Sequence, residues 1–291
     1  MRTGVVGLGA MGAGMAANLH KAGHLSAVWN RSRDKAEAIA AETGARLAES
    51  PADVARHAEI VITCVSRDAD VKEVIEAMLE GAGPQTIVAD TSTVSAATAR
   101  ELAASLSGRG AGFLDCPVSG GVEGARKGTL AMMVGGEAAV LERARPALES
   151  IAGNIVHMGP TGSGQATKAV NQIMCAGINE AVTEALAFGE AMGLDMNKVI
   201  DVVSSGAAGN WFLTHRGKTM VAGSYEPGFR VHLHHKDLSI CRTMAGQQGA
   251  LRLPLTEVTL LDYQRLMDAG HGDEDISSLY RLKRPAKRAG E

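Results

Sequence analysis

The 291-residue chain lacks the features that mark several classes of protein. It has only four cysteines with no CxxC pair among them, so the sequence predicts neither a disulfide framework nor a zinc site: Cys64, Cys116, Cys175 and Cys241. The net charge of −3 argues against a nucleic-acid partner, because such proteins normally carry a strong basic excess. No apolar run approaches the roughly 18 residues that span a bilayer, and a strand predicted from residue 3 leaves no room for a signal peptide. We therefore expect a cytoplasmic protein that binds no membrane, nucleic acid or metal.

What the chain has in quantity is glycine, with 35 residues. Much of it is concentrated in three polar segments, GLGAMG (7–12), DCPVSGG (115–121) and GSGQATKAVNQ (162–172). Glycine is favoured where backbone must approach a ligand closely, so these segments are candidate binding loops.

Short β-rich runs alternate with helical patterns through the first half of the chain. Strands are predicted at 3–8, 25–30, 59–65 and 86–90, with shorter ones at 112–116, 130–134 and 155–158. This alternation predicts an α/β, Rossmann-type doubly wound domain over residues 1–161 with a parallel sheet. From residue 162 the patterns are helical, and they predict an all-α C-terminal domain over 162–291. A proline-free pattern at 165–192 predicts one long interdomain helix, followed by helices at 196–204, 210–221, 236–248 and 255–269.

The first glycine segment has the spacing of a dinucleotide fingerprint, between a predicted strand and a predicted helix. The glycines allow a tight turn, the approach of backbone to a pyrophosphate and close helix–strand packing. A glycine-rich turn that serves packing alone is the structural alternative. The candidate cofactor-binding residues here are Gly7, Leu8, Gly9, Ala10, Met11 and Gly12.

The end of the second strand indicates which cofactor is bound. NAD-specific sites usually carry Asp or Glu there to hold the ribose 2′-hydroxyl, whereas this chain has Asn30, Arg31, Ser32 and Arg33. A guanidinium suits a 2′-phosphate, so the sequence favours NADP(H), with NAD(H) as the alternative. Ser32 can at the same time serve as a helix N-cap.

Further polar residues follow two other predicted strands, where ligands bind in open α/β sheets. We expect Val65, Ser66 and Thr93 to contact the cofactor, and Thr93 also to reach the substrate. Capping of the following helices is the structural alternative, and for Thr91 and Ser92 it is equally good.

The second glycine segment is a candidate anion site. Proline ends the preceding strand, and the turn that follows presents the Ser119 hydroxyl with the N–H groups of Gly120 and Gly121 to a substrate carboxylate. A plain turn is the alternative. Gly124 and Gly128 predict that the loop continues to the strand at 130–134.

The third segment supplies an acid/base candidate, Lys168, with Asn171 and Gln172 on the same helix face. A surface lysine is the alternative interpretation. The preceding Gly162-Ser163-Gly164 favours the catalytic one, because glycines let a helix start approach a ligand.

Two other features have open interpretations. His232, His234 and His235 are interpreted as histidines at a helix start near the cofactor cleft rather than as metal ligands. Trp211 either walls the substrate pocket or belongs to the core or an interface.

The combined motifs resemble those of the β-hydroxyacid dehydrogenase family, which includes 3-hydroxyisobutyrate dehydrogenases and tartronate, glyoxylate and succinic semialdehyde reductases. The segments that carry the resemblance are GLGAMGAGMAANLHKAG (7–23), DTST (90–93), DCPVSGG (115–121), GTLAMMVGG (128–136), GQATKAVNQ (164–172) and GFRVHLHHKDL (228–238). The resemblance implies that Lys168 is the catalytic acid/base and that Thr93 and Lys236 contact the cofactor. It also implies that Ser119, Gly120, Phe229 and Asp237 line the active site, and it favours a homodimer or homotetramer.

The resemblance leaves two details open. Cys116 stands where the family commonly has alanine. Many members carry asparagine four residues after the lysine, where this chain has Gln172 preceded by Asn171, a pair shared with tartronate semialdehyde reductases. Either amide is therefore a candidate substrate contact.

The expected activity is NADP(H)-dependent interconversion of a small carboxylated aldehyde and its hydroxyacid. The alternatives are an NAD-dependent 3-hydroxyisobutyrate or similar 3-hydroxyacid dehydrogenase and, in a different class, a non-catalytic nucleotide-binding scaffold. An imine reductase generally lacks the lysine, and a 6-phosphogluconate dehydrogenase needs a larger helical domain.

Overall fold

The computed structural model describes residues 1–249 and 251–284. Tertiary contacts divide the chain into two compact units, Met1–Lys168 (unit 1) and Ala169–Glu291 (unit 2). The division falls inside the long helix, a few residues beyond the predicted domain boundary, because the first turns of that helix bond to unit 1.

Unit 1 is built on one sheet of nine strands. The strands are β1 (Thr3–Val6), β2 (Leu25–Trp29), β3 (Arg46–Leu47), β4 (Ile60–Thr63), β5 (Ile87–Asp90), β6 (Gly112–Asp115), β7 (Val118–Ser119), β8 (Leu130–Gly136) and β9 (Ala152–Gly159). Their order is β3-β2-β1-β4-β5-β6-β8-β7, and β9 pairs with β8. The helices are α1 (Ala10–Lys21), α2 (Arg33–Thr43), α3 (Pro51–His57), α4 (Asp68–Met78), α5 (Ala96–Ser107), α6 (Gly121–Lys127) and α7 (Ala138–Leu148).

The central strands are buried on both faces, which explains their continuous apolar sequences. Side chains alternate between two separate cores, one on each face of the sheet. Val5 and Ile62 belong to one core, and their neighbours Val6 and Val61 belong to the other. Helices cover both faces, so the predicted doubly wound domain is confirmed.

The far edge of the sheet departs from the predicted parallel arrangement. β6 pairs with β8, and β7 with β8, in antiparallel fashion, and β8 pairs with β9 in parallel. The prediction of a wholly parallel sheet is wrong at this edge. The chain returns here through the short β7 and the seven-residue α6, whereas a parallel connection needs a longer crossover.

The predicted loop through Gly124 and Gly128 is also wrong, because α6 occupies it. Gly128 ends that helix in the left-handed conformation with φ of +70°, and Glu123 pairs with Lys127 at 2.7 Å, an i,i+4 spacing that supports a helix. Gly128 is therefore a helix cap rather than part of a loop.

Unit 2 is helical. It contains most of α8 (Ser163–Ala191), then α9 (Met196–Ser204), α10 (Trp211–Val221), α11 (Val231–Gly246), α12 (Pro254–Asp268), a 3₁₀ helix (Ile276–Leu279) and α13 (Tyr280–Lys283). α8 has 29 residues and is about 43 Å long at 1.5 Å per residue, which confirms the predicted long helix. Within the described ranges, no helix is both long enough and apolar enough to cross a membrane.

One predicted helix start in unit 2 is wrong. α11 begins at Val231 rather than at residue 236, so the histidines at 232, 234 and 235 lie inside the helix. The polar HLHHK segment did not indicate that His234 is fully buried, where it bonds to a core tyrosine.

Candidate active site

The three fingerprint glycines occupy three different environments. Gly7 has φ of +95°, and a Cβ there would overlap the Cys64 carbonyl oxygen. A Cβ on Gly12 would overlap the carbonyl oxygen of Gly7, so this glycine is required for α1 to begin against β1. A Cβ on Gly9 would meet no atom within 4 Å. Only Gly9 therefore opens onto space that a ligand can fill, as a dinucleotide loop requires.

That space is a pocket of about 230 Å³ at the carboxyl ends of β1, β2 and β4. Ligands bind at this edge of doubly wound sheets, and the start of α1 adds its positive dipole end. The lining residues combine predicted and unpredicted positions: Gly7, Gly9, Trp29, Asn30, Arg31, Ser32, Lys35, Cys64, Val65, Ser66, Asp70, Glu73 and Val74. Burial raises the pKa of the Cys64 thiol to about 11, so this cysteine is protonated at neutral pH.

Asn30 connects the fingerprint loop to the end of β2. Its Oδ1 accepts the N–H of Leu8 at 2.8 Å, and its Nδ2 donates to the Ser32 carbonyl at 2.9 Å. The backbone on both sides of the pocket is thereby held in place.

Both cations and carboxylates line the pocket. Arg31 is largely exposed and pairs with Asp70 at 3.2 Å, and Lys35 lies one turn further along α2. Arg33, in contrast, is held by Glu37 at 2.9 Å and Glu49 at 2.8 Å. Of the two predicted guanidinium groups, Arg31 is the one in the pocket.

The polar residues after β4 and β5 divide into exposed and structural groups. Ser66 lines the pocket, and Thr93 is half-buried in the loop before α5. Ser92 Oγ accepts the N–H of Val65 at 3.0 Å, and Thr91 Oγ1 donates to the Thr63 carbonyl at 2.7 Å. Thr91 and Ser92 thus join the strand ends, and α5 is capped by Ser95 instead.

The predicted anion loop contains two consecutive residues with positive φ. Gly120 has φ of +127° and Gly121 has φ of +61°, while Ser119 ends β7 half-buried beside them. Such a turn directs successive N–H groups to one side. Asn18 of α1 holds the other end of α6, donating to the carbonyls of Ala125 at 2.7 Å and Arg126 at 3.2 Å.

Lys168 lies early in α8 and is only 7% exposed, which excludes the surface-lysine alternative. The helix start before it is packed against protein. A Cβ on Gly164 would overlap the Met133 carbonyl oxygen, and one on Gly162 would meet the Ala96 carbonyl at 3.2 Å. The interpretation of these glycines as an approach to a ligand is therefore wrong; they permit contact with β8 and α5.

Two buried carboxyl groups lie side by side at the ends of β5 and β6. Asp90 and Asp115 are cross-strand neighbours, and both are fully buried. Asp115 accepts N–H groups from the start of α8. Asp90 Oδ1 accepts from Thr63 Oγ1 at 2.7 Å and from the Ser92 N–H at 3.2 Å. Burial raises the pKa of Asp90 to about 6, and the charge of Asp115 adds to this effect.

In unit 2, the predicted amides and Asp237 form one hydrogen-bonded chain. Asn171 Nδ2 donates to Gln172 Oε1 at 2.7 Å, and Gln172 Nε2 donates to Asp237 Oδ2 at 2.6 Å. Asp237 also pairs with Lys236 at 2.9 Å. Gln172 and Asp237 are buried, whereas Asn171 and Lys236 are partly exposed.

The buried His234 supports this chain from the core. A carbonyl only accepts, so the 3.1 Å contact between His234 Nε2 and the Gln172 carbonyl places the proton on Nε2. Nδ1 then accepts from the Tyr263 hydroxyl at 3.0 Å, and Asn179 donates to that hydroxyl at 3.0 Å. The described residues contain no group of three or more His, Cys, Asp or Glu side chains suited to a metal ion.

The two aromatic candidates differ in exposure. Phe229 is half-buried, with its ring centroid 5.1 Å from that of His234. Trp211 is 62% exposed and stacks on His215 at 4.2 Å, so it is not a core residue.

Several residues that shape these sites were not predicted from the sequence. Lys35 had a usable signal, since it lies one turn after Arg31 on a predicted helix. Asp115 and Asn18 had none, because their partners are distant in sequence.

Comparisons with known proteins match both parts of the chain. A family model described as the NAD binding domain of 6-phosphogluconate dehydrogenase matches residues 2–159. A second, described as NAD-binding of NADP-dependent 3-hydroxyisobutyrate dehydrogenase, matches residues 162–283. An uncharacterized oxidoreductase from Synechocystis sp. is 40% identical over 95% of this chain and 97% of its own length. The NAD-dependent L-serine dehydrogenase of Pseudomonas aeruginosa is 34% identical over 97% of both chains.

A solved structure extends the agreement to the fold. The structure titled as Mycobacterium tuberculosis 3-hydroxyisobutyrate dehydrogenase with L-serine has a TM-score of 0.88 and 34% identity, covering 98% of this chain and 100% of that one. This chain belongs to the β-hydroxyacid dehydrogenase family. As a member, it is an oxidoreductase, an NAD(P)-dependent dehydrogenase with a Rossmann domain and a 3-hydroxyisobutyrate dehydrogenase-like helical domain.

Proposed function

We propose that this β-hydroxyacid dehydrogenase interconverts a small carboxylated aldehyde and its hydroxyacid with NADP(H), and that Lys168 is the general acid/base. The observation that carries the proposal is the burial of Lys168, 7% exposed, early in α8. General acids and bases commonly lie in sites shielded from water, and this lysine occupies the position at which the family has its acid/base.

The cofactor preference is supported by the pocket at the end of β2. Its open side at Gly9 fits a pyrophosphate, and Arg31, Ser32 and Lys35 supply donors for a 2′-phosphate. A carboxylate held toward the ribose would favour NAD(H) instead, and the side chain at that position is Asn30. The carboxylates of Asp70 and Glu73 line the same pocket, so use of NAD(H) as a second cofactor is compatible with it.

The substrate class is supported by the turn at Ser119–Gly121. Its backbone N–H groups and the Ser119 hydroxyl suit a carboxylate, and a lysine suits a carbonyl or hydroxyl oxygen. Tartronate semialdehyde, glyoxylate, succinic semialdehyde and methylmalonate semialdehyde all carry both groups.

In the proposed reaction, the bound nicotinamide cofactor supplies or accepts the hydride. Lys168, as an ammonium group, donates a proton to the oxygen of the aldehyde as that oxygen gains charge. In the oxidative direction the neutral amine of Lys168 takes the hydroxyl proton. The backbone at Gly120 and Gly121 holds the carboxylate, so the reacting carbon is oriented before proton transfer.

Roles for the remaining candidates follow from their exposure. We assign substrate contact to Asn171, which is partly exposed, and support to Gln172, whose amide is engaged by Asn171 and Asp237. Lys236 is assigned to the cofactor, with Asp237 as its ion-pair partner. Phe229 and Trp211 are assigned to the substrate pocket, and Thr93 to both ligands.

Self-association as a homodimer or homotetramer is supported by exposed apolar side chains in unit 2. Val170 and Met174 lie one turn apart on α8 at 52% and 61% exposure, and Leu261 of α12 is 63% exposed. Such side chains are enriched at subunit interfaces. A cytoplasmic location remains a prediction from the sequence.

A second function is favoured by the relatives. The L-serine dehydrogenase and 3-hydroxyisobutyrate dehydrogenases among them point to NAD-dependent oxidation of a 3-hydroxyacid. The same Lys168 would serve as the base, so only substrate and cofactor choice distinguish this function from the first.

The test is a set of initial rates with NADPH and NADH against the four aldehydes, and with NADP⁺ and NAD⁺ against 3-hydroxyisobutyrate and L-serine. Lys168→Ala should lose roughly 10²–10⁴-fold in kcat, the usual contribution of a general acid or base. Lys198→Ala removes an exposed lysine, 86% accessible, and should keep full activity. Full activity in Lys168→Ala would refute the assignment. Tight NADPH binding without turnover of any substrate would favour a nucleotide-binding scaffold.

A further inference from the structure

The start of α8 is capped by a side chain from the sheet. Asp115, the last residue of β6, is fully buried, and its Oδ1 accepts the N–H of Gly162 at 2.8 Å. Its Oδ2 accepts the N–H of Gln165 at 2.9 Å. The first N–H groups of a helix have no partner within the helix, and a carboxyl group at this end also interacts favourably with the helix dipole.

The backbone around this cap is closely packed. A Cβ on Gly164 would lie 2.5 Å from the Asp115 carbonyl oxygen and 2.9 Å from its Oδ2. A Cβ on Gly135 of β8 would overlap the Asp115 carboxyl group from the other side. Two glycines are thus required so that α8 can begin directly on the end of β6.

A second contact joins the same helical turn to the loop after β5. Gln165 Oε1 accepts the N–H of Val94 at 3.2 Å, and Gln165 Nε2 donates to the Ser92 carbonyl at 2.8 Å. Gln165 is 1% exposed. Thr93 lies between the two residues that Gln165 holds, so the turn before Lys168 and the loop of Thr93 are bonded as one piece.

We propose that Asp115 and Gln165 are positioning residues that set where the Lys168 amine stands relative to the Thr93 loop. The proposal rests on the proposed function for its consequence, since the displacement of an acid/base group lowers the rate. Lys168 follows Gln165 by three residues on a continuous helix, so a change in the start of α8 moves both together. The hydrogen bonds of the two side chains described above go to the start of α8 and to the Thr93 loop, not to the fingerprint loop.

The experiment compares Asp115→Asn and Gln165→Leu with Thr167→Ala. An asparagine at position 115 places its NH₂ group against one of the two backbone N–H groups that Asp115 accepts. One of the two capping hydrogen bonds is therefore lost. Leucine at 165 removes both bonds to the Thr93 loop. Thr167 is the matched control, because its hydroxyl donates only within α8, to the Ser163 carbonyl at 2.8 Å.

Three readouts separate positioning from general damage. The first is the pH dependence of Lys168 acylation by a small amine-reactive reagent, followed by peptide mass spectrometry with the other lysines as internal references. The second is kcat and KM across pH, and the third is the Kd for NADPH. We expect a changed Lys168 reactivity profile and a loss of about 10²-fold in kcat, as small misplacements produce. The NADPH Kd and the Thr167→Ala variant should match wild type.

The outcomes distinguish this proposal from the proposed function. Changed Lys168 reactivity with full kcat would support positioning and refute Lys168 as the acid/base. An unchanged Lys168 reactivity profile in both variants would overturn the positioning proposal, whatever the rates. If Asp115→Asn does not fold, Gln165→Leu decides the question by the same readouts.

Discussion

Replacing Asp90 with asparagine should change how the stability of the protein depends on pH. Asp90 is fully buried at the end of β5, next to the Asp115 carboxyl group. Its Oδ1 accepts two hydrogen bonds, which an asparagine oxygen can also accept, while Oδ2 has no partner among the described residues. Burial raises the pKa of Asp90 from 3.8 to about 6.

The direction of the effect follows from that raised pKa. Below pH 3.8 the carboxyl group is protonated in both the folded and the unfolded chain, so its titration does not lower the free energy of unfolding. Between 3.8 and about 6 it ionises mainly in the unfolded chain, so stability falls as pH rises and stays lower above 6. At 1.36 kcal/mol per pH unit, the whole loss is about 3 kcal/mol. An asparagine side chain does not ionise, so the Asp90→Asn protein avoids this loss.

Urea unfolding of wild type and variant at several pH values from about 4 to 8 measures the effect. The difference in free energy of unfolding, variant minus wild type, should rise by most of about 3 kcal/mol across this range. Carboxyl groups that do not interact with Asp90 titrate alike in both proteins and cancel in the difference, whereas Asp115 is coupled to Asp90 through its charge and contributes to it. Equal m-values would show that the same surface is exposed in both. A difference that stays constant with pH would refute the reasoning, whatever its absolute size.

Three further predictions test the sites. Gly9→Ala should fold normally but bind NADPH weakly, because its Cβ meets only the open space that the cofactor would fill. Gly12→Ala should lose about 1–3 kcal/mol of stability, because its Cβ would overlap the carbonyl oxygen of Gly7. Equal melting temperatures for the two variants would contradict this. Arg31→Ala should weaken NADPH binding by about 10- to 100-fold and leave NADH binding unchanged, because a charged hydrogen bond contributes about 1.5–3 kcal/mol. Fluorescence titration measures NADPH binding, and Arg33→Ala is the control, because the Arg33 guanidinium is held by Glu37 and Glu49. Gln172→Leu removes the donor to Asp237 Oδ2 and should lower the free energy of unfolding by about 1–3 kcal/mol, measured by thermal unfolding. An unchanged melting temperature would show that the buried Asp237 carboxyl group does not need this hydrogen bond.

Local chemistry was readable where one segment contains the whole signal. The fingerprint from Gly7 to Gly12 carries its strand, turn and helix start within a few residues, and the open space at Gly9 matches its expected role. Arg31 was recognised because it lies two residues after the end of β2, and the pocket includes it. Arg33 looked equivalent to Arg31 in the sequence, but its guanidinium pairs with Glu49, which is distant along the chain, and it does not line the pocket.

Other residues were misread because their partners lie far away in sequence. The glycines at 162 and 164 were interpreted as facing a ligand, yet they face α5 and β8. The HLHHK segment does lie at the start of α11, but its residues did not indicate that the bond between His234 and Tyr263 places that histidine within the core of unit 2. The loop at 118–129 contains a helix whose end depends on Asn18 of α1.

The sequence by itself determined the class of fold, the dinucleotide loop and the identity of Lys168 as the acid/base candidate. These depend on periodicity and on short motifs, which act over one turn or one strand. The tertiary structure alone decided that Asp115 caps the helix of Lys168, that Gln165 joins it to the Thr93 loop, and that Gln172 donates to Asp237. Each of these bonds joins residues far apart in sequence, and a buried polar group finds such a partner only after the chain has folded around it.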